Sequence, residues 1–209
     1  MATRPRPAHL SMIRSFQLAD LLTLANAACG TLAVFAVLAG VERRSARALL
    51  LACALLPLGL VFDVLDGRVA RSRHAHSALG RELDSLADVI SFGVAPAVIA
   101  YGAGLRGLWD VVVLVYFVAC GVSRLARFNV TADELSAGGD KVKYFEGTPI
   151  PTSLVLVALV ATAAWLGRLD EALPLGVVHL GVGRLHWLAL LWAVSGSLMI
   201  SKTLRIPKL

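Results

Sequence analysis

The sequence predicts an all-α integral membrane protein with six transmembrane helices. Hydrophobic residues make up 57% of its 209 residues and charged residues only 16%, whereas soluble domains carry about 45–50% and about 25%. The mean hydropathy of +0.75 is too high for one globular core. This composition excludes intrinsic disorder, which requires low hydrophobicity and high charge. The three cysteines lie in apolar runs and do not form a disulfide framework.

Six apolar segments approach the length of about 20 residues that a spanning helix needs. In chain order they are Leu18–Leu38, Ala46–Leu65, Leu86–Tyr101, Leu108–Val122, Ile150–Leu166 and Leu185–Ile200. The third and fourth are short, but less apolar flanks extend the third from Leu83 and the fourth to Ala126. The stretch Ala172–Gly183 is broken by Pro174 and three glycines, which predicts an interfacial or external loop. No second domain fits between the spans, so we expect one membrane domain over residues 1–209.

The distribution of basic residues predicts the orientation in the membrane. With six spans, both termini and the loops after the second and fourth spans share one side, which carries fourteen of the 20 Lys and Arg. The positive-inside rule therefore predicts that both termini lie in the cytoplasm, and we expect an integral protein of the cell (inner) membrane. The net charge of +6 does not indicate nucleic-acid binding, because aromatic residues do not interleave with a basic patch.

The N-terminal segment 1–17 precedes the first span and is expected on the cytoplasmic side. Within it, Leu10, Ile13 and Phe16 are three residues apart. This spacing predicts an amphipathic helix lying in the membrane interface. The alternative is a frayed terminus.

Four aspartates stand out because they border apolar spans, where carboxylates are rare and usually functional. Asp63 and Asp66 end the second span, and Asp84 and Asp88 begin the third; the other acidic residues are mostly expected in loops. Spacings of three and four residues place each pair on one helix face. If the two helices turn back on each other through the polar stretch between them, the four carboxylates converge.

Such a cluster predicts a metal site. Four close carboxylates repel one another at the edge of a low-dielectric medium and stay ionised together only with cations among them. Oxygen ligands favour Mg²⁺ or Mn²⁺, and two such ions suit phosphoryl transfer. The alternative interpretation is a set of solvated helix caps and surface ion pairs, such as Arg81 with Asp84 or Glu82.

The stretch from Asp63 to Asp88 has the pattern D-x-x-D-G-x-x-A-R-x8-G-x3-D-x3-D, with eight fixed positions. It resembles the signature of the CDP-alcohol phosphotransferase family, which is built on six transmembrane helices. The resemblance implies two divalent cations held by Asp63, Asp66 and Asp84, with Asp88 as general base and also as a further ligand. It implies that the nucleotide is lined by Gly67, Ala70, Arg71 and Gly80, and by Thr23 and Asn26 of the first helix.

Three further segments, Gly80–Ala97, Arg124–Val130 and Phe145–Pro151, are similar to the membrane-embedded phosphatidylserine synthase subfamily. This resemblance implies transfer of the phosphatidyl group from CDP-diacylglycerol to L-serine, with release of CMP, at the cytoplasmic membrane boundary. Homodimers are common in the family. Two other functions stay open: a related transferase that uses glycerol 3-phosphate or an inositol phosphate, and a divalent-cation transporter.

Arg124 and Arg127 lie three residues apart near the cytoplasmic end of the fourth span, so they project from one helix face. Their guanidinium groups match the serine carboxylate or the lipid phosphates in bidentate geometry. The alternative is that both side chains snorkel to lipid headgroups.

Overall fold

The protein is a helical bundle. The computed structural model describes residues 17–43, 45–72, 78–136, 144–201 and 205–207. The α-helices in these ranges are α1 Leu18–Arg43, α2 Ala46–Ser72, α3 Ala78–Asp88, α4 Ala95–Ala103, α5 Leu108–Ser136, α6 Ser153–Trp165 and α7 Leu190–Ile200. A π-helical segment, Val89–Val94, joins α3 to α4 without a break.

Short strands supplement the helices, which the all-α expectation did not include. They are β1 Tyr144–Glu146, β2 Val177–Leu180, β3 Gly183–His186 and β4 Arg205–Pro207. Both ladders are antiparallel: β1 pairs with β4, and β2 pairs with β3 in a hairpin. The hairpin occupies much of the stretch predicted as a loop and the first residues of the sixth predicted span.

Four helices are long and apolar enough to cross a membrane: Leu18–Arg43, Ala46–Arg71, Leu79–Ala103 and Leu108–Thr131. They confirm the first four predicted spans, and the third and fourth are longer than their apolar cores suggested. The last two predicted spans correspond to apolar helices of fewer than 18 residues, Ile150–Trp165 and Trp187–Ile200. The predicted N-terminal amphipathic helix lies outside the described residues, apart from Gln17.

The helices pack through small residues. The most extensive contact between two helices is that of α1 with α2. In this contact a Cβ on Gly59 would lie 2.9 Å from Asn26 Oδ1. Phe92, Ile99, Phe117 and Trp192 are fully buried at the centre of the bundle. Large apolar side chains along the outer faces are exposed, as expected for helices that contact lipid; they include Leu32, Phe35, Leu51 and Val115.

The π-helical segment begins directly after Asp88 and contacts α1. A Cβ on Gly30 would lie only 2.6 Å from Ser91 Oγ, so only glycine permits this approach. The Ser91 hydroxyl donates a hydrogen bond of 2.8 Å to the Asn26 carbonyl oxygen. π-Turns inside α-helices occur frequently at functional sites, and this one connects Asp88 to the polar face of α1.

The expectation that the other acidic residues lie mostly in loops is wrong, because six of them lie in the described α-helices. Two of these six, Asp20 and Asp110, support the fold. Each lies in the first turn of a helix and is buried, because its oxygens accept hydrogen bonds from the helix entry. Asp20 accepts from the Gln17 N–H at 2.8 Å, and Asp110 from the Gly107 N–H at 2.9 Å. Sequence spacing does not reveal such capping acids when they lack a serine or threonine partner.

A candidate active site of clustered aspartates

Three of the four predicted aspartates meet between the end of α2 and the middle of α3. Asp63, Asp66 and Asp84 each place a carboxylate oxygen within 4.8 Å of the other two. Asp66 is buried, and the other two are half-buried. The two helices therefore turn back on each other, as the glycines and polar residues between them suggested.

Asp88 lies beside this group, one turn further along α3. Its carboxyl group and that of Asp63 are close enough to share a proton. The negative charges of Asp63, Asp66 and Asp84 and the positive charge of Arg124 all act on it. The four carboxylates thus form one electrostatic unit, with Asp88 on the side that faces α5.

The chemistry of this group fits a divalent cation. The donors are carboxylate oxygens alone, the ligand type that hard cations prefer. Asp84 Oδ1 is buried and has no hydrogen-bond partner among the described residues. A buried acceptor without a partner is costly, and close like charges add to that cost. A bound cation would remove both costs.

Helix α1 contributes two polar side chains that hold the aspartates. The Thr23 hydroxyl donates a hydrogen bond of 2.7 Å to Asp66 Oδ2, and Asn26 Nδ2 lies 3.4 Å from Asp88 Oδ1. Both residues are buried, while Asn26 Oδ1 has no partner in the described part of the chain. Thr23 and Asn26 were expected to face a nucleotide, and their contacts with the aspartates were not expected.

The residues predicted to line the nucleotide lie beside the same cluster. A Cβ on Gly67 would meet only the Arg71 guanidinium among the described atoms, at 3.7 and 3.9 Å. Gly67 and Ala70 are half-buried and Arg71 is exposed, so the described residues leave space open next to the helix backbone here. Gly80 is half-buried in α3. Residues 73–77, between these two helices, are outside the described ranges.

The structure separates the two arginines that the sequence treated alike. Arg124 is half-buried, lies close enough to Asp88 for their charges to interact, and has a buried Nε with no partner among the described residues. Arg127 is exposed, one turn further along α5. Arg124 therefore belongs to the aspartate site, and Arg127 lies at its outer edge.

Asn129 joins α5 to α3 beside the cluster, a role that no sequence pattern indicated. Its Nδ2 donates to Ser85 Oγ at 3.1 Å, and the Ser85 hydroxyl lies 3.2 Å from Asn129 Oδ1. The same Nδ2 is 3.4 Å from both carboxylate oxygens of Glu82. Ser85 follows Asp84 directly, so this network connects an aspartate helix to the arginine helix.

Membrane-spanning helices that bring carboxylates together beside a half-buried arginine define a metal-dependent phosphotransferase class of site. The family model described as CDP-alcohol phosphatidyltransferase matches residues 16–199. The chain belongs to this family of phosphotransferases, whose members depend on divalent cations.

Individual relatives are similar over much of the chain. The CDP-diacylglycerol–serine O-phosphatidyltransferase of Saccharomyces cerevisiae is 42% identical over 203 residues, covering 96% of this chain and 74% of the relative. The archaetidylserine synthase of Methanothermobacter thermautotrophicus is 39% identical over 158 residues, or 74% of this chain and 62% of its own length. The CDP-diacylglycerol–serine O-phosphatidyltransferase of Mycobacterium leprae is 37% identical over 161 residues, or 76% of this chain. The chain spans about half the length of the last relative, 49%.

Proposed function

We propose that the protein transfers the phosphatidyl group from CDP-diacylglycerol to L-serine, giving phosphatidylserine and CMP. The observation that carries this proposal is the meeting of Asp63, Asp66 and Asp84 within 4.8 Å, with Asp88 and Arg124 beside them. Membership of the phosphotransferase family supports the reaction type. The names of the yeast and mycobacterial relatives support serine as the acceptor.

In this reaction the serine hydroxyl oxygen bonds to the β-phosphorus of CDP-diacylglycerol. The bond from that phosphorus to the bridging oxygen breaks, and the electron pair leaves with CMP. Asp88 accepts the hydroxyl proton, because it lies beside Arg124, the residue that would hold the serine carboxylate. Its contact with Asn26 Nδ2 orients the carboxylate for this transfer.

Asp63, Asp66 and Asp84 would hold two divalent cations, Mg²⁺ or Mn²⁺, with Asp88 as a further ligand. When bound, these ions neutralise the pyrophosphate charge and polarise its oxygens. Thr23 fixes Asp66 for this task through its 2.7 Å hydrogen bond. The nucleotide would lie against Gly67, Ala70 and Gly80, with Arg71 on a phosphate.

Arg124 would bind the serine carboxylate. Serine is a zwitterion, so its pocket needs a cation for the carboxylate and an oxygen for the ammonium group. The half-buried guanidinium of Arg124 supplies the first and the aspartates supply the second. Arg127, which is exposed, is better suited to lipid phosphates.

The proposal includes a setting in the membrane. Six spans, with α6 and α7 as the last two, would put both termini and the site at the cytoplasmic face of the inner membrane. There, water-soluble serine and CMP reach the aspartates while the acyl chains stay in lipid. Residues 1–209 would act as one domain, with segment 1–17 in the interface. The chain would form a homodimer. The molecular mass of the purified protein in detergent would test this.

The deciding experiment is CMP release by purified protein from CDP-diacylglycerol, with each acceptor in turn. We expect Mg²⁺- or Mn²⁺-dependent release with serine and none with glycerol 3-phosphate or inositol phosphate. Release with a phosphorylated alcohol alone would keep the reaction type and reject serine. Metal flux into liposomes without nucleotide, and no CMP release, would favour a transporter.

A further inference from the structure

The end of the bundle remote from the aspartates carries a folded hairpin. Strands β2 and β3 pair from Val177 opposite His186 to Leu180 opposite Gly183. The hairpin turns at Gly181 and Val182, with Gly181 in the left-handed region at φ 57°. Because the ladder satisfies backbone groups within the hairpin, this segment can enter a medium of low dielectric constant at less cost than an irregular loop.

The hairpin is fixed to the bundle at the start of α5. Trp109 Nε1 donates a hydrogen bond of 3.0 Å to the Leu180 carbonyl oxygen. A Cβ on Gly183 would lie 2.9 Å from Leu108 Cβ, so the strand touches the helix directly. The His186 N–H donates to Asp110 Oδ1 at 2.8 Å. These contacts fix the direction in which the tip projects.

The tip and its surroundings expose apolar and aromatic side chains. Val182 at the tip is 90% exposed, and Leu175 and Leu180 are also exposed. Three of the four tryptophans, Trp109, Trp165 and Trp187, lie exposed at this same end. An apolar patch of this kind is unusual on a water-facing surface, whereas tryptophan concentrates at membrane–water interfaces.

Charged groups border this patch. Arg184 on β3 is exposed and lies 3.7 Å from Glu171, and Arg168 is exposed in the same connection between α6 and α7. Arginines beside exposed tryptophans match the boundary between phosphate headgroups and acyl chains. A dry protein interface would not suit them as well.

We infer that the β2–β3 hairpin is a lipid-docking surface: its tip, Gly181–Val182, inserts into the headgroup–acyl boundary of the leaflet opposite the aspartate site. The partner is the bilayer surface itself. This inference does not depend on the acceptor or on the reaction. Of the two settings expected for this stretch, interfacial or external, the hairpin takes the interfacial one.

Single cysteines with an environment-sensitive fluorophore test the inference in the full-length protein in phosphatidylcholine–phosphatidylglycerol vesicles. Val182→Cys reports on the tip. Glu171→Cys is the matched control, because this exposed acid lies in the same connection. Leu32→Cys on α1 marks the lipid-exposed acyl depth. The native cysteines are all buried, so the unsubstituted protein serves as the labelling blank.

We expect iodide in the water to quench the Val182 label several-fold less than the Glu171 label. A nitroxide near the top of the acyl chains should quench the Val182 label more than one near the chain end, with the reverse order at Leu32. Equal iodide quenching at Val182 and Glu171 would place the tip in water and overturn the inference. Protection of the Val182 label from both lipid and aqueous quenchers would mean that protein covers it, and would overturn it equally.

Discussion

Both ends of the bundle contain carboxylates in helices, but the hydrogen bonding of these carboxylates differs between the two ends. At the hairpin end, Asp110 is fully buried and accepts from the Gly107 and His186 N–H groups, with His186 Nδ1 2.7 Å from its Oδ2. At the other end, three aspartates crowd together, and Asp84 Oδ1 has no partner among the described residues. A carboxylate whose bonds are complete holds the fold, whereas a crowded and incompletely bonded set requires a ligand.

The largest effect should come from removing a cluster charge. Asp66→Asn or Asp84→Asn should reduce CMP release to background, because each deletes a charged oxygen ligand from a site made of oxygen ligands. In the absence of metal, the unfolding temperature of these variants should equal or exceed that of the unsubstituted protein, because removing one negative charge relieves the repulsion among the aspartates. CMP release and thermal unfolding with and without Mg²⁺ measure both effects. Near-normal, metal-dependent turnover in either variant would reject the metal site.

Asp88→Asn should lower turnover by about 10²–10⁴-fold, the usual contribution of a positioned general base. Binding of CDP-diacylglycerol should survive better than in the other aspartate variants. Single-turnover CMP release and nucleotide-binding titrations separate the two quantities. If binding falls equally in all four variants, Asp88 acts mainly as a metal ligand.

Arg124 and Arg127 provide a test residue and a control for binding of the acceptor. Arg124→Lys keeps the charge but loses the planar fork, and a lost charge-assisted hydrogen bond costs about 1.5–3 kcal/mol. The KM for serine should therefore rise about tenfold or more, with a smaller change in the KM for CDP-diacylglycerol. Arg127→Lys, the exposed control, should change the KM for serine little. The opposite pattern in Arg124→Lys would reassign that residue to the lipid phosphates.

Asn129→Ala should have a smaller effect, because it removes neutral hydrogen bonds that each contribute about 0.5–1.5 kcal/mol. We expect a fall of a few fold in kcat/KM for serine. The effect should largely disappear when Ser85 is already alanine, since both changes break the same contact. Full additivity in this double-mutant cycle would show that Asn129 acts through another contact.

The smallest effect on catalysis should follow Asp110→Asn at the hairpin end. This change disrupts a buried and fully bonded acid, so stability should fall by about 1–3 kcal/mol while the KM for serine in the folded protein stays unchanged. Thermal unfolding and steady-state kinetics of one preparation provide both values. A raised KM for serine at unchanged stability would contradict the assignment of Asp110 to the fold and of the clustered aspartates to function.

Local patterns predicted much of this molecule. Hydropathy located the first four spans. The aspartate spacings of three and four residues predicted a cluster of carboxylates, and Asp63, Asp66 and Asp84 form one. Contacts between distant parts of the chain could not be read in this way. The bond from Asn129 to Ser85 joins residues 44 apart, and that from His186 to Asp110 joins residues 76 apart. The hairpin was missed because short apolar strands interrupted by glycines resemble a loop.

The π-helical segment Val89–Val94 makes the third span sensitive to its own length. A π-turn amounts to one residue inserted into an α-helix, and each residue turns an α-helix by about 100°. The insertion therefore sets the angle between the aspartate face of α3 and the face of α4 that buries Ile99 and Ala100. Removing one residue here would rotate the aspartate face of α3 by about 100° relative to the packing face of α4. The number of residues in this short segment therefore sets the geometry on both sides of it.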